Sequence, residues 1–212
     1  MIKLSRDSRV FIACPYHKTG GPKSLHQLAN QLINYGIDVY MIYYHSGIFT
    51  GENNILFSFC RAKVATNILD NETNILIVPE TETILLERYT EIKNVICWLS
   101  LDFYFSSSLK GAVKQAVRQK GLPRVIEPAM FLKFFINDRD CFKHLKKIEA
   151  KNLPNYYHLY NCEYEKEYLL KQNVSTSKMS YLCGPLEEEF LNLDFEEIRG
   201  YKKNIIAYNP AK

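Results

Sequence analysis

The stretch from Arg9 to Tyr44 leaves this chain few folds to choose from. Residues 9–14 (RVFIAC) form a short apolar run of β-branched and aromatic residues that stops at Pro15, as a buried strand does. A loop holding Gly20-Gly21 follows, and Pro22 stands at a first helical position. Leu25, Leu28, Ala29, Leu32 and Ile33 then recur at helical spacing, and Asn34-Tyr35-Gly36 closes that helix on a glycine. Residues 38–44 (DVYMIYY) are the next strand. Strand, glycine turn, helix and strand make a βαβ unit, and such units imply a parallel sheet.

The alternation continues. Residues 74–78 (NILIV) read as a strand ending in Pro79-Glu80, residues 81–89 as a short helix, and residues 94–99 (NVICWL) as another strand. Two further strands are expected at 156–160 and 179–183, with a helix over 163–171 between them. Residues 45–71 read as irregular. The segment 106–151 breaks the pattern: it reads as two or three helices around an apolar stretch, residues 130–136 (MFLKFFI). Residues 204–208 (NIIAY) begin another strand. The expected fold is α/β: a Rossmann-like parallel sheet flanked by helices, with a basic helical insertion near 106–151.

Charge separates that insertion from the rest. The chain carries a net charge of +4, too little to argue for nucleic acid as a partner. Eleven Lys and Arg against four Asp and Glu lie between residues 106 and 151, so the basic character belongs to this segment. A peripheral contact with an anionic membrane surface through Lys110 to Lys151, with Phe131, Phe134 and Phe135 inserting, is one expectation; a solvated basic face over ordinary core aromatics is the other. Six cysteines (14, 60, 97, 141, 162 and 183) are scattered without a CxxC pair, and no signal-like segment opens the sequence. Both point to reduced thiols and a cytoplasmic setting, with Cys14, Cys97 and Cys183 serving as small hydrophobes.

Parallel α/β sheets bind ligands outside the carboxyl ends of their strands, which singles out three places. Gly20 and Gly21 lead into a helix N-terminus, where unpaired N–H groups and a partial positive charge suit an anion. The competing reading is a tight turn that needs φ > 0. Asp102 and Ser100 stand at the end of the 94–99 strand, Asp102 as a candidate base and both as candidate caps of a following helix. Glu80 ends another strand, either pointing into the cleft mouth or as a solvated carboxylate at a helix start. The histidines (17, 26, 45, 144 and 158) show no metal spacing, and His158, mid-strand, reads as a satisfied core imidazole. The glycine loop matches neither GxGxxG nor a P-loop, so no cofactor and no metal is expected.

Five of these pieces together resemble bacterial glycosyltransferases of the GT-B fold, the group that builds polysaccharide and lipopolysaccharide. Thr19-Gly20-Gly21-Pro22-Lys23-Ser24-Leu25 with Leu28-Ala29 is similar to their GG-x-x-x-L-x-x-L-A loop and helix. Ile77-Val78-Pro79-Glu80 resembles an I-V-P-E strand end, and Trp98-Leu99-Ser100-Leu101-Asp102-Phe103-Tyr104 resembles W-L-S-V-D-N-Y/F, with Phe103 in place of Asn. Asn161-Cys162-Glu163-Tyr164-Glu165-Lys166-Glu167-Tyr168-Leu169 is similar to Q-S-E-Y-A-K-E-F-L, and Tyr208-Asn209-Pro210-Ala211-Lys212 to the Y-N-P-K-K-G that opens a second domain.

The resemblance implies that residues 1–203 are the acceptor-side domain and that 204–212 are the first strand of a donor-binding domain. It implies a sugar transferred from a nucleotide-sugar donor to a glycan or lipid-linked acceptor, with the present chain inactive alone. Gly20, Gly21, Lys23, Glu80, Ser100 and Tyr104 would then contact substrate, and Asp102 would take the catalytic place. The alternative is a non-catalytic acceptor-binding or membrane-docking subunit of a split transferase.

Overall fold

The computed structural model describes residues 2, 7–45, 48–106, 108–137 and 147–184. Its centre is a sheet that runs β1 (Arg9–Pro15), β2 (Asp38–His45), β3 (Ile48–Phe49), β4 (Lys63–Val64), β5 (Ile75–Pro79), β6 (Lys93–Cys97), β7 (Tyr157–Tyr160) and β8 (Met179–Tyr181) along the chain. In space the order is β3-β2-β1-β5-β6-β7-β8, with β4 also on β2. All described pairings are parallel except the short β2–β3 contact, so the fold is an α/β, Rossmann-like sheet.

The period of two along each strand divides the core. Val10, Ile12 and Cys14 face α1 (Gly20–Asn34) and pack with Leu25, Ala29, Met41 and Ile77. Phe11 and Ala13 face the other way, toward Leu76, Val78, Leu85, Trp98 and Leu169. Both faces are covered, which is why β1 and β5 are apolar almost throughout rather than alternating with polar residues. α1 ends because Gly36 takes φ +79, a region open to glycine at little cost.

Several details differ from the sequence expectation. α1 starts at Gly20 rather than at Pro22, because Thr19 already has extended cap geometry. The helix expected over 81–89 is a 3-10 turn, Thr83–Arg88. Within the supposedly irregular 45–71 stretch, β3 and β4 both pair with β2. The helical segment starts earlier, with α2 (Leu101–Ser106), and continues through α3 (Leu109–Gln119) and α4 (Glu127–Asn137). α5 (Glu163–Lys171) lies where it was expected. Cys14, Cys60 and Cys97 are buried free thiols, whereas Cys183 is exposed and is no core residue. The strand expected at 204–208 lies outside the described residues.

Candidate functional site

The sheet changes winding direction between β1 and β5. From β1 the chain passes through α1 to β2 on one side, and β5 to β8 then extend the sheet on the other. Loops that leave neighbouring strands in opposite directions open a crevice at their carboxyl ends, the usual ligand position in such sheets. Here that crevice is flanked by the β1–α1 loop, residues 16–19, and by Glu80 after β5.

The loop is built for an open helix end. Thr19 is extended at φ −134 and ψ 176, with no side-chain capping bond, so the first turn of α1 keeps its N–H groups unclaimed by a cap side chain. His17, Lys18 and Gly20 are exposed around it, and Lys23 is half-buried one turn along. The two glycines differ. A side chain at Gly20 would meet nothing within 4 Å, whereas a Cβ at Gly21 would stand 3.3 Å from Leu99 Cδ1. Gly21 thus lets α1 close on the β6 loop, and Gly20 leaves the approach to the helix end clear. Neither adopts positive φ; among the described glycines only Gly36, Gly51 and Gly121 do, so the reading of this pair as a φ > 0 turn is corrected.

Glu80 corrects a second expectation. It is not a solvated carboxylate but is 1% exposed. Its Oε2 accepts the Leu99 N–H at 2.9 Å, and the N–H groups of Ser100 and of Glu80 itself also bond to the carboxyl. Burial pushes this carboxyl up to about 8; the nearby Glu165 charge adds to the rise, and the three N–H groups oppose it. Glu80 is therefore the post to which the Leu99–Ser100 loop is tied.

Glu165 does the same for the next loop. It is 2% exposed, and its Oε2 accepts the Asn161 N–H at 2.8 Å while the Cys162 N–H also bonds to it. Burial raises its carboxyl too. Cys162 is the N-cap of α5, so Glu165 supplies one half of a capping box. Asn161 Nδ2 donates to the Leu99 carbonyl at 3.5 Å, joining the β6 and β7 loops. The sequence reading missed Glu165, although the spacing of a cap residue and a Glu three positions later was available to find it.

Between these ties the β6 loop presents Ser100, half-buried, and Asp102, exposed in the first turn of α2. The Ser100 carbonyl accepts the Phe103 and Tyr104 N–H groups at 3.1 and 3.4 Å and so starts the helix. Tyr104, expected beside them, turns inward: it is 2% exposed, its hydroxyl donates to the Ile148 carbonyl at 2.8 Å, and its ring lies 5.1 Å from that of Trp98. Gly20, Gly21, Glu80, Ser100 and Asp102 thus belong to one end of the sheet, and Tyr104 to the core beneath it.

The buried histidines are structural. His158 accepts the Trp98 Nε1–H at 3.0 Å on Nδ1 and bonds the Leu153 carbonyl at 3.0 Å through Nε2. Burial lowers it to about 4, so it is the neutral imidazole these partners need. His26 bonds the Pro22 carbonyl at 2.7 Å and Tyr43 Oη at 2.9 Å, and Tyr43 Oη accepts the Leu56 N–H at 2.8 Å. These bonds fix the base of the glycine-loop helix against β2, and burial lowers the His26 imidazole below its ordinary range.

Comparison with protein-family models, with curated proteins and with solved structures finds no match. Among the described residues no helix is long and apolar enough to cross a membrane.

Proposed function

We propose that this chain is the acceptor-side part of a glycosyltransferase, which acts with a second α/β body that binds a nucleotide-sugar and passes the sugar to a glycan or lipid-linked acceptor at the cytoplasmic face of the membrane. The observation that carries the reading is the open N-terminus of α1 at the winding switch, next to the Ser100–Asp102 loop. In this reading the leaving diphosphate meets the Gly20 end of α1, where helix N–H groups and the side chains of His17, Lys18 and Lys23 offset its growing negative charge. Asp102 and Ser100 meet the acceptor hydroxyl, Asp102 as the group that takes its proton. Glu80 and Glu165 do not touch substrate; they hold the two loops that do. The motif resemblance supplies the reaction class, and the sheet geometry supports the residue roles.

The test is a transfer assay on the two-domain enzyme that this proposal implies. Asp102→Asn lowers turnover by about 10²-fold, the usual scale for a positioned acid–base group. Its side chain is exposed, so the stability stays within the change expected of a surface substitution, about 0.5 kcal/mol. Unchanged turnover removes Asp102 from the mechanism. A fall in stability matching the fall in rate would make it a helix-end residue only.

A further inference from the structure

Two thiols stand at the carboxyl ends of neighbouring strands. Among the described cysteines, Cys14, Cys60 and Cys97 are buried, whereas Cys162 and Cys183 are exposed. β7 and β8 run parallel, with His158 opposite Met179, Leu159 opposite Ser180 and Tyr160 opposite Tyr181. The Leu182 N–H donates to the Tyr160 carbonyl at 2.8 Å, so the ladder runs one residue past β8. Continued by one more step, this register sets Cys162 opposite Cys183, each two residues beyond the last pair.

The side chains follow the same register. The rings of Tyr160 and Tyr181 lie 5.8 Å apart, as paired positions on one face should. Two steps on, Cys162 and Cys183 return to that face. Cys162 keeps an extended backbone, φ −147 and ψ 161, where the chain bends into α5, and its N–H is held by Glu165. Neighbouring strands lie about 4.8 Å apart, inside the Cα separation of about 4.4–6.8 Å that a disulfide spans.

We propose that Cys162 and Cys183 are a redox pair, which closes to a disulfide by exchange with an oxidised low-molecular-weight thiol and reopens by exchange with the reduced form. One cysteine thiolate attacks a sulfur of the small disulfide, giving a mixed disulfide and one released small thiol. The second cysteine attacks the protein sulfur of that mixed disulfide, forming the internal bond and releasing the other small thiol. Two electrons and two protons pass from the pair to the small disulfide, which becomes two thiols. Cys14, Cys60 and Cys97 take no part, because burial both encloses them and pushes their thiols up, away from the reactive thiolate. The bond joins the edge strand to the N-cap of α5, beside Asn161, whose side chain donates to the Leu99 carbonyl of the β6 loop. The pair needs neither donor nor acceptor and is independent of the glycosyl-transfer reading.

Incubation of the 212-residue chain with oxidised glutathione, an acid quench, alkylation and peptide mapping test it. The expected product is a bond between the Cys162 and Cys183 peptides with no glutathione left on either, and excess reduced glutathione restores both thiols. Cys162→Ser and Cys183→Ser each keep one glutathione on the remaining cysteine, since nothing is there to displace it. Both positions are exposed, so neither variant threatens the fold. A trivalent monoarsenical, which needs two neighbouring thiols, gives a second readout on the reduced chain: it binds the parent at least about 100-fold more tightly than either variant. Glutathione retained on the parent's Cys162 or Cys183, thiols that stay free, or a bond from either to another cysteine or a second chain overturns the proposal. So does an arsenical affinity that neither substitution changes.

Discussion

The carboxyl edge of the sheet and the α3–α4 hairpin use the same kinds of residue in opposite ways. At the edge two acidic groups go inside: Glu80 and Glu165 are almost fully buried, and loop N–H groups satisfy them, while Asp102 alone of the site's acids stays exposed. At the hairpin the charges stay in water and apolar side chains stay with them, Leu132 and Ile136 among them. A buried carboxyl group bonded to several N–H groups fixes backbone in one geometry, which suits a site that must hold reacting groups in place. An exposed apolar face fixes nothing within the chain and is suited to an outside surface. Rigidity and adhesiveness are therefore separated in the molecule.

The largest effect expected from breaking this contrast lies beneath the edge. His158→Phe leaves the buried Trp98 Nε1–H without its acceptor, while the Leu153 carbonyl loses one donor and keeps the Tyr156 N–H. The orphaned indole N–H costs about 1–3 kcal/mol, read as a lower urea midpoint. A variant as stable as the parent would mean that the Trp98–His158 pair does not organise the base of the site.

The join between the two regions comes next. A Cβ at Gly111 would stand 1.7 Å from the Phe105 carbonyl oxygen, so α3 is seated on the end of α2 only because position 111 has no side chain. Gly111→Ala costs about 1–3 kcal/mol, the range for overpacking. If the substitution were neutral, the hairpin would not be seated on α2 as described.

The buried acid gives a pH signature of its own. Glu80 ordinarily titrates near 4.5 and is held at about 8 in the fold, so the folded chain keeps this proton more tightly than the unfolded one. Its contribution is most favourable below about 4.5 and is lost as pH rises toward about 8. Glu80→Gln removes that loss, so the variant gains on the parent in thermal melts taken from about pH 5 to about pH 8. His158 acts in the reverse sense, since a histidine lowered from 6.5 to about 4 loses stability as pH falls through that interval. An equal Tm difference between Glu80→Gln and parent at both ends would place Glu80 in water after all.

The smallest change is a gain. Cys162 has the extended geometry of an N-cap, φ −147 and ψ 161, but makes no side-chain capping bond, while Glu165 already bonds back to it. Cys162→Ser completes the box and adds about 0.5–1 kcal/mol. No gain would mean that the serine oxygen fails to reach the helix N–H groups.

These residues also show what could be read from the sequence. The βαβ unit was legible because strand and helix periods, Pro15 and Gly36 all agree locally on one answer. The site's end of the sheet was legible for the same reason, since strand direction follows from the crossovers. Glu80's burial was not, because it depends on the N–H groups of Leu99 and Ser100, which reach it only across two strands. Gly20 and Gly21 read alike as letters, and only the position of Leu99 tells them apart. Tyr104 looked like part of the site because of the run it sits in. Its spacing of three from Leu101, both buried on one side of α2, carried the opposite message.

In the proposed function the open end of α1 is where a diphosphate would meet this domain. The direct measurement is an amide NMR titration of the 212-residue chain with a panel of nucleotide-sugars, alongside Gly20→Val. The predicted result is a set of shifts centred on Gly20, Gly21 and Ser100, with affinity near millimolar, about −4 kcal/mol, because in the proposed function this domain supplies one wall of the cleft. Gly20→Val abolishes those shifts without disturbing the fold, since a side chain there meets nothing of the protein and occupies only the space of the anion. Shifts that gather elsewhere, or that survive Gly20→Val unchanged, would contradict the account.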